Sequence, residues 1–249
     1  MKSLLTRVLG VIAPNYLWRL RAKKWTGSQE NEKELELLPA LCDRRKVSVD
    51  VGASMGLYTM HLLGYSSGCV SFEPRPLHAA ELRKMFAGSR PPVRVEQVGL
   101  SDHGGSTLMR VVDSDLGRST IEPENTLRPG DDIHEEKIGI RPLDEYKLDN
   151  VGFVKIDVEG HEEAVVRGGL QTIRQNLPSL LIEMEEKHNP GTIQRMRDLL
   201  GELSYTGYFL DGSRLRPIAE AANASHPVNN YIFVQPAHLT RLRSHKWSV

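Results

Sequence analysis

The order of the predicted elements indicates an α/β fold with a doubly wound, mostly parallel sheet. Short apolar segments that end in polar residues alternate with segments of helical periodicity, as in repeated strand–helix–strand units. No helical pattern separates the last two predicted strands, so we expect them to pair as an antiparallel hairpin that closes the sheet. A chain of 249 residues is long enough for one such domain with an additional arm.

The predicted strands are short apolar runs bounded by turn-forming residues. In chain order they cover 46–51, 69–72, 93–98, 107–112, 152–157, 179–184, 205–210 and 230–234. The predicted helices have apolar residues at helical spacing and cover 30–41, 57–63, 76–86, 162–176 and 192–203. Residues 113–136 are polar and rich in turn formers, which predicts a loop or an acceptor lid.

The composition restricts the classes of function. Lysine plus arginine number 32, as do aspartate plus glutamate, so the chain lacks the overall basic charge typical of a nucleic-acid-binding protein. We therefore expect no nucleic-acid partner. Cys42 and Cys69 are too few for a disulfide framework or a cysteine-based zinc site, and we interpret them as small buried side chains in a reducing, cytoplasmic compartment.

A basic arm, residues 1–29, precedes the predicted domain, residues 30–249. Every charged residue before Glu30 is lysine or arginine, and apolar residues recur at helical spacing until Pro14. Two interpretations remain open. The arm is either a helix packed against the domain or a basic amphipathic helix that contacts an anionic membrane surface from the cytoplasmic side.

The end of the first strand carries the first candidate ligand site, because ligands bind at the carboxyl ends of strands in such sheets. Asp50 is followed by a turn that contains Gly52, Ser54 and Gly56. The glycine spacing departs from the dinucleotide fingerprint, which disfavours a nicotinamide-dependent dehydrogenase. A carboxylate at Asp50 repels a pyrophosphate and favours a ligand with positive charges, such as S-adenosylmethionine.

The next two strand ends predict the rest of a nucleoside site. Glu73 lies about twenty residues beyond Gly52, which is the position of the acid that binds ribose hydroxyls in nucleotide-binding sheets. Asp102 follows the third strand and is a candidate to face an adenine ring. Each acid taken singly is equally consistent with a solvated strand end, but Asp50 and Glu73 together favour an adenosine cofactor.

The fourth strand end has the densest set of polar residues. Lys155 and Asp157 share one strand face, Glu159 follows, and His161 lies just before the next helix. The helix start accounts for the acids at 162 and 163 but not for Lys155 or Asp157. Glu183, at the end of the fifth core strand, is expected to face the same cleft.

These motifs together resemble the FkbM family of S-adenosylmethionine-dependent methyltransferases. The matching segments lie within 46–186 and are 50–53 with Gly56, 58–59, 72–74, 99–102, 143–146, 155–162 and 181–183. Ser54 stands where the family usually has asparagine. The resemblance implies a Rossmann-like class I fold, S-adenosylmethionine as cofactor, and O-methylation of a hydroxyl on a sugar, glycolipid, oligosaccharide or polyketide-type product. A narrower likeness, in size and plan, is to rhizobial enzymes that methylate the fucose of nodulation factors.

Methyl transfer to a hydroxyl requires a base near the acceptor oxygen. Asp157 and His161 are both candidates, since His161 has the suitable ordinary pKa and Asp157 the better position. Lys155 is predicted to keep Asp157 ionised or to stabilise the developing alkoxide. A divalent cation on Asp157 and Glu159 is a weaker alternative, because hard-metal sites need more oxygen ligands than the sequence supplies.

Two further classes of function remain as alternatives. A nucleotide-sugar-dependent glycosyltransferase is suggested by the acid-x-acid pattern at 113–115. A non-enzymatic, membrane-associated binding module is suggested by the basic arm, but the acids at the strand ends argue against it.

Overall fold

The computed structural model describes residues 32–112, 119–123, 125, 127–128, 130–224, 226–244 and 247. The basic arm and the acid-x-acid pattern at 113–115 lie outside these residues. None of the helices within the described ranges is long and apolar enough to cross a bilayer.

The elements follow the alternation that the sequence predicts. The strands are β1 (Val47–Val51), β2 (Gly68–Phe72), β3 (Val93–Glu96), β4 (Gly99–Leu100), β5 (Gly105–Val112), β6 (Ile133–Arg141), β7 (Val151–Ile156), β8 (Ser179–Glu183), β9 (Thr206–Asp211), β10 (Arg214–Pro217) and β11 (Asn230–Val234). The α-helices are α1 (Leu38–Leu41), α2 (Leu57–Leu62), α3 (Pro76–Phe86), α4 (Glu162–Arg167), α5 (Leu170–Asn176), α6 (Thr192–Gly201) and α7 (Pro236–Ser244). Short 3-10 helices cover Lys33–Leu37, Leu143–Tyr146 and Ile218–Asn223.

The main sheet has eight strands in the order β10-β9-β11-β8-β7-β1-β2-β3. The five strands from β8 to β3 run parallel, whereas β11 is antiparallel to both β8 and β9. This arrangement confirms the doubly wound, mostly parallel sheet with an antiparallel closing strand. The chain leaves β1 toward β2 on one side, and β7 lies on the other, so the switch point that binds ligands falls between β1 and β7.

The central strands are buried on both faces because helices cover both sides of the sheet. Val154 and Ile156 belong to one apolar cluster, and Phe153 belongs to the cluster on the opposite face. This alternation follows from the period of two in a strand. Lys155 lies on the same face as Phe153 and is only 1% exposed, so its ammonium is held inside the fold.

A second, three-stranded sheet of order β4-β6-β5 covers the edge of the switch point. The predicted lid 113–136 is therefore too long, because residues 133–136 belong to β6. The sequence pattern does not predict this strand, because its first residues are exposed and mostly charged and, within it, only Ile138 and Ile140 are buried. The predicted strand 93–98 is two residues too long, because β3 ends at Glu96 and the chain then enters β4, which pairs with β6.

Two predicted helices are interrupted. The helix predicted over 162–176 is divided into α4 and α5 at Gly168, where a Cβ atom would lie 2.0 Å from the Ser101 carbonyl oxygen. Of the helix predicted over 30–41, the described part is a 3-10 helix followed by the four residues of α1. Helix α7 was not predicted.

Asp144 stabilises the start of α5 from a distant part of the chain. Its carboxylate accepts hydrogen bonds from the Gln171 amide at 3.0 Å, the Thr172 amide at 2.8 Å and the Thr172 hydroxyl at 2.7 Å. These contacts satisfy amide groups of the first helical turn, which have no partner within the helix.

We expect Asp144→Ala to lower the free energy of unfolding by about 1–2 kcal/mol, because it removes this cap. Chemical denaturation measures the loss. The control is Glu145→Ala, since the neighbouring side chain is exposed. Equal stability of the two variants would contradict the assigned role.

Candidate active site

The turn after β1 packs directly against the end of β7. The Gly52 and Ala53 amides both donate to the Phe72 carbonyl at 3.0 Å, which ties the turn to β2. Gly52 has φ 77°, and a Cβ atom built on it would lie 1.8 Å from the Asp157 carbonyl oxygen. Only glycine permits this approach, so the turn brings the ends of β1, β2 and β7 together.

Ser54 and Gly56 complete the turn with left-handed backbone conformations. Ser54 has φ 46° and Gly56 has φ 85°. Gly56 immediately precedes α2, and its missing side chain leaves room for Leu82, whose Cδ2 atom lies 2.7 Å from an ideal Cβ. Of the predicted turn residues, Gly52 and Ser54 line the pocket described below, whereas Gly56 packs against Leu82 and does not line it.

Glu73 is held at the end of β2 by backbone amides. One carboxylate oxygen accepts from the Ser54 amide at 2.8 Å and the other from the Arg75 amide at 2.9 Å. The side chain lines the pocket described below, and burial raises the pKa of its carboxyl to about 7. Each oxygen retains accepting capacity for a ligand hydroxyl.

A pocket of about 720 Å³, counting the space at its open mouth, occupies the switch point. We refer to the lining residues Glu73, Asp157, Glu159 and His161 as the polar end of the pocket. The apolar end is defined by the apolar lining residues Phe72, Val98, Leu100, Met109, Ile121 and Ile138.

Lys155 lies beneath the polar end. Its Nζ is 3.6 Å from Asp157 Oδ2 and 3.7 Å from Glu183 Oε2, and it makes no hydrogen bond within the described part of the chain. The ring of Tyr58 lies 5.0 Å away. Burial acts to lower the pKa of the Lys155 ammonium, but Asp157 and Glu183 outweigh it, so the pKa is raised and the group is charged.

Several carboxyls near Lys155 hold their protons unusually tightly. Burial, and then the charges of Asp157 and Glu183, raise the pKa of Glu159 to about 9. The charge of Asp157, and then burial, raise the pKa of Glu183 to about 8. The polar end therefore carries more potential negative charge than one ammonium can balance.

His161 connects three segments around the site. Its Nε2 lies 2.9 Å from the Ser101 hydroxyl, and its Nδ1 makes a short contact with the Glu122 carboxylate. The Thr120 hydroxyl and the Asn125 amide nitrogen each donate to the Glu159 carbonyl at 2.8 Å. Thr120, Glu122 and Asn125 of the predicted lid are thus bonded to the loop that follows β7.

The structure does not bring Asp50 or Asp102 into the pocket lining. Asp50 is 2% exposed and accepts from the Thr59 hydroxyl at 2.5 Å, and burial raises its pKa to about 6. The Asp102 side chain is 47% exposed and contacts His103. Because β4 pairs with β6, Gly99 lines the pocket beside Leu100, and the chain turns outward before Asp102.

Sequence reasoning missed several residues of the site. Arg75 and His78 line the pocket next to Glu73, and Glu122 supports His161. None of them lies directly at a strand end, so the rule that ligands bind at the carboxyl ends of strands did not predict them.

The weaker alternative of a divalent cation on Asp157 and Glu159 stays a prediction. Within the described ranges, no group of three or more His, Cys, Asp or Glu side chains is arranged to hold a metal ion.

The strand order and the ligand site at the switch point define a Rossmann-like, class I methyltransferase. A family model described as the methyltransferase FkbM domain matches residues 50–209. This range is more than half of the chain, so the chain belongs to the FkbM methyltransferase family. Its cofactor is S-adenosylmethionine. No curated protein matches the sequence significantly.

Solved structures are similar to this chain at low sequence identity. An FkbM methyltransferase from Methylobacillus flagellatus KT is 16% identical, with a TM-score of 0.53, over 77% of this chain and 44% of that one. The present chain therefore spans less than half the length of that protein. An rRNA methylase from Streptococcus thermophilus is 12% identical, with a TM-score of 0.46, over 81% of this chain and 93% of that one.

The site residues fit S-adenosylmethionine. Gly52 leaves a cradle that a Cβ atom would fill, Glu73 offers acceptors for ribose hydroxyls, and the polar end supplies carboxylates for a cationic ligand. The apolar end is suited to the faces of a purine.

We expect Gly52→Ala to abolish binding of S-adenosylhomocysteine, the demethylated cofactor, and to destabilise the fold by at least about 2 kcal/mol. The added Cβ atom collides with backbone, which cannot rotate away. Calorimetry and denaturation measure the two effects. Gly201→Ala is the control, because nothing lies within 4 Å of its Cβ position. Native-like binding by Gly52→Ala would show that the turn is not the cradle.

Proposed function

We propose that this chain is an S-adenosylmethionine-dependent O-methyltransferase that acts on a hydroxyl of a sugar in an oligosaccharide or glycolipid. The observation that carries the proposal is the buried Lys155 ammonium, which lies 3.6 Å from Asp157 and 3.7 Å from Glu183 without a hydrogen bond. An acceptor hydroxyl can accept from Nζ while it donates its proton to a carboxylate, which satisfies both groups.

A second cleft beside Lys155 supports a sugar acceptor. Glu183 lines this cleft together with Glu32, His226, Asn229 and Asn230. The Asn230 amide oxygen is buried without a hydrogen-bond partner among the described residues. Amide and carboxylate groups are suited to sugar hydroxyls, which both donate and accept. Lys155 contacts Asp157 of the cofactor pocket and Glu183 of this cleft, so it lies between the two ligands in our proposal.

We assign the general base to Asp157. Both ring nitrogens of His161 are already engaged, by Ser101 and Glu122, so this side chain holds the segment near Glu122 against the site. The Asp157 side chain is 35% exposed and is open to the acceptor. Its carboxylate would take the hydroxyl proton as the acceptor oxygen accepts the methyl group that the bound cofactor would supply.

When bound, the cofactor supplies an electrophilic methyl group on a sulfonium, and alignment of oxygen, carbon and sulfur provides much of the rate. Glu73 holds the ribose in the proposed arrangement, and Gly52 allows the methionine part to approach the backbone. Lys155 stabilises negative charge on the acceptor oxygen, as an ammonium beside a developing alkoxide does.

The segments outside the described residues have proposed roles as well. The basic arm, residues 1–29, is the segment we propose for contact with an anionic membrane surface, where a glycolipid acceptor is found. Among sugars, the fucose of a nodulation factor is the most specific candidate, because the chain resembles the rhizobial fucose-methylating enzymes in length and in the order of its elements. Both belong in an acceptor screen, with and without anionic vesicles.

We expect Asp157→Asn to lower kcat by about 10²–10⁴-fold, because general bases contribute that much. The assay follows transfer of labelled methyl groups to a panel of glycans by mass spectrometry. S-adenosylhomocysteine affinity should change far less than kcat. Asp149→Asn is the control, because this exposed aspartate lies on the approach to β7, at the opposite end from the site.

His161→Gln separates the two candidates for the base. We expect a smaller loss of kcat than in Asp157→Asn, together with weaker ordering of the segment near Glu122 in hydrogen exchange. Normal turnover by Asp157→Asn, with none by His161→Gln, would reverse the assignment. Methyl transfer to an amine or a nucleic acid, with no sugar accepted, would overturn the substrate class.

A further inference from the structure

Arg75 is a buried cation that the proposed reaction does not use. Its side chain is 7% exposed and lines the cofactor pocket next to Glu73. Its Nε and Nη1 atoms are buried and have no hydrogen-bond partner in the described structure. Most buried polar groups in proteins have a partner, so two orphaned donors at a pocket wall indicate that a ligand satisfies them.

Glu136 of β6 holds the guanidinium from one side. Its Oε2 atom lies 3.7 Å from Arg75 Nε, and its Oε1 atom lies 3.2 Å from His134 Nε2. Glu136 is paired with Met109 of β5, which lines the pocket. The ion pair therefore holds the planar guanidinium at the pocket wall, where the Nη1 donors have no hydrogen-bond partner among the described residues.

The position of Arg75 corresponds to the base of the cofactor. In the proposed arrangement, the ribose is held at Glu73 and the methionine part extends toward Gly52 and Asp157. The base on the other side of the ribose then enters the apolar end, between Leu100 and Ile138. Apolar walls cover the faces of a purine, but its ring nitrogens also lose water and need donors.

We infer that Arg75 recognises the adenine base, with its guanidinium donating a hydrogen bond to a ring nitrogen and Glu136 positioning it. The ring nitrogens of adenine that face its grooves are acceptors, and a guanidinium only donates. The neighbouring His78 is uncharged at neutral pH, because burial lowers its pKa to about 4. A neutral His78 therefore does not compete with Arg75 as a cationic donor to the base. This inference rests on the proposed placement of the ribose at Glu73.

The test is calorimetric binding of S-adenosylhomocysteine and of its 1-deaza, 3-deaza and 7-deaza analogues. In each analogue a C–H replaces one ring nitrogen. With the unmodified chain, we expect one analogue to bind about 10- to 100-fold more weakly than the parent, as loss of a charge-assisted hydrogen bond predicts. In Arg75→Met the parent should weaken by a similar factor, and the penalty for that analogue should disappear.

Two further variants keep the result interpretable. Arg83→Met removes an exposed arginine from α3, the helix that begins directly after Arg75, and should leave both the affinity and the penalty unchanged. Arg75→Lys retains the charge but loses the planar fork, so it tests the contact if Arg75→Met fails to fold. It should bind the parent at least about tenfold more weakly.

Tight parent binding by both Arg75 variants would overturn the inference. So would a deaza penalty of equal size with and without Arg75. Glu73→Gln tests the proposed placement of the ribose: unchanged affinity for S-adenosylhomocysteine in this variant would refute it. The proposed sugar O-methylation is tested separately, by the methyl-transfer assay with glycan acceptors. A failure of either is therefore separable from a failure at Arg75.

Discussion

Carboxylates held away from water at one end of the main sheet determine what this site can bind. Glu73 is 4% exposed, and the pKa values of Glu159 and Glu183 are raised to about 9 and about 8 by burial and by the charge of Asp157. Such groups are costly to ionise unless a cation lies beside them. Lys155 provides one positive charge inside the fold, and the sulfonium of the cofactor provides another.

The backbone keeps these side chains in place. Gly52 approaches the Asp157 carbonyl more closely than any residue with a Cβ atom allows, and this contact joins the ends of β1 and β7. Glu162 accepts hydrogen bonds from the Gly160 amide at 2.9 Å and the Val158 amide at 3.4 Å, which fixes the loop that carries Glu159. The site is therefore formed by tight turns whose geometry tolerates few side chains.

The fold and half of the site were predictable because they depend on local patterns. Apolar runs with polar ends define parallel strands, and the rule for strand ends located Glu73, Lys155 and Asp157. Strand β6 could not be predicted, because its first half is charged on both faces and is held by pairing with β5. The same pairing brings Glu136 to Arg75, and the return of the chain to the site brings Glu122 to His161. Such contacts between distant segments leave no periodic trace in the sequence.

The most direct test of this account is the number of protons released when the cofactor binds, measured by calorimetry in buffers of different ionisation enthalpy. Near pH 8, Glu159 of the cofactor pocket is largely protonated in the free protein, since its pKa is about 9. A sulfonium favours the ionised form and lowers this pKa, so protons leave as it binds. S-adenosylmethionine should therefore release more protons than S-adenosylhomocysteine, which has the same amino group but no sulfonium. Equal or smaller release would contradict the claim that the carboxylates of the cofactor pocket receive the cation.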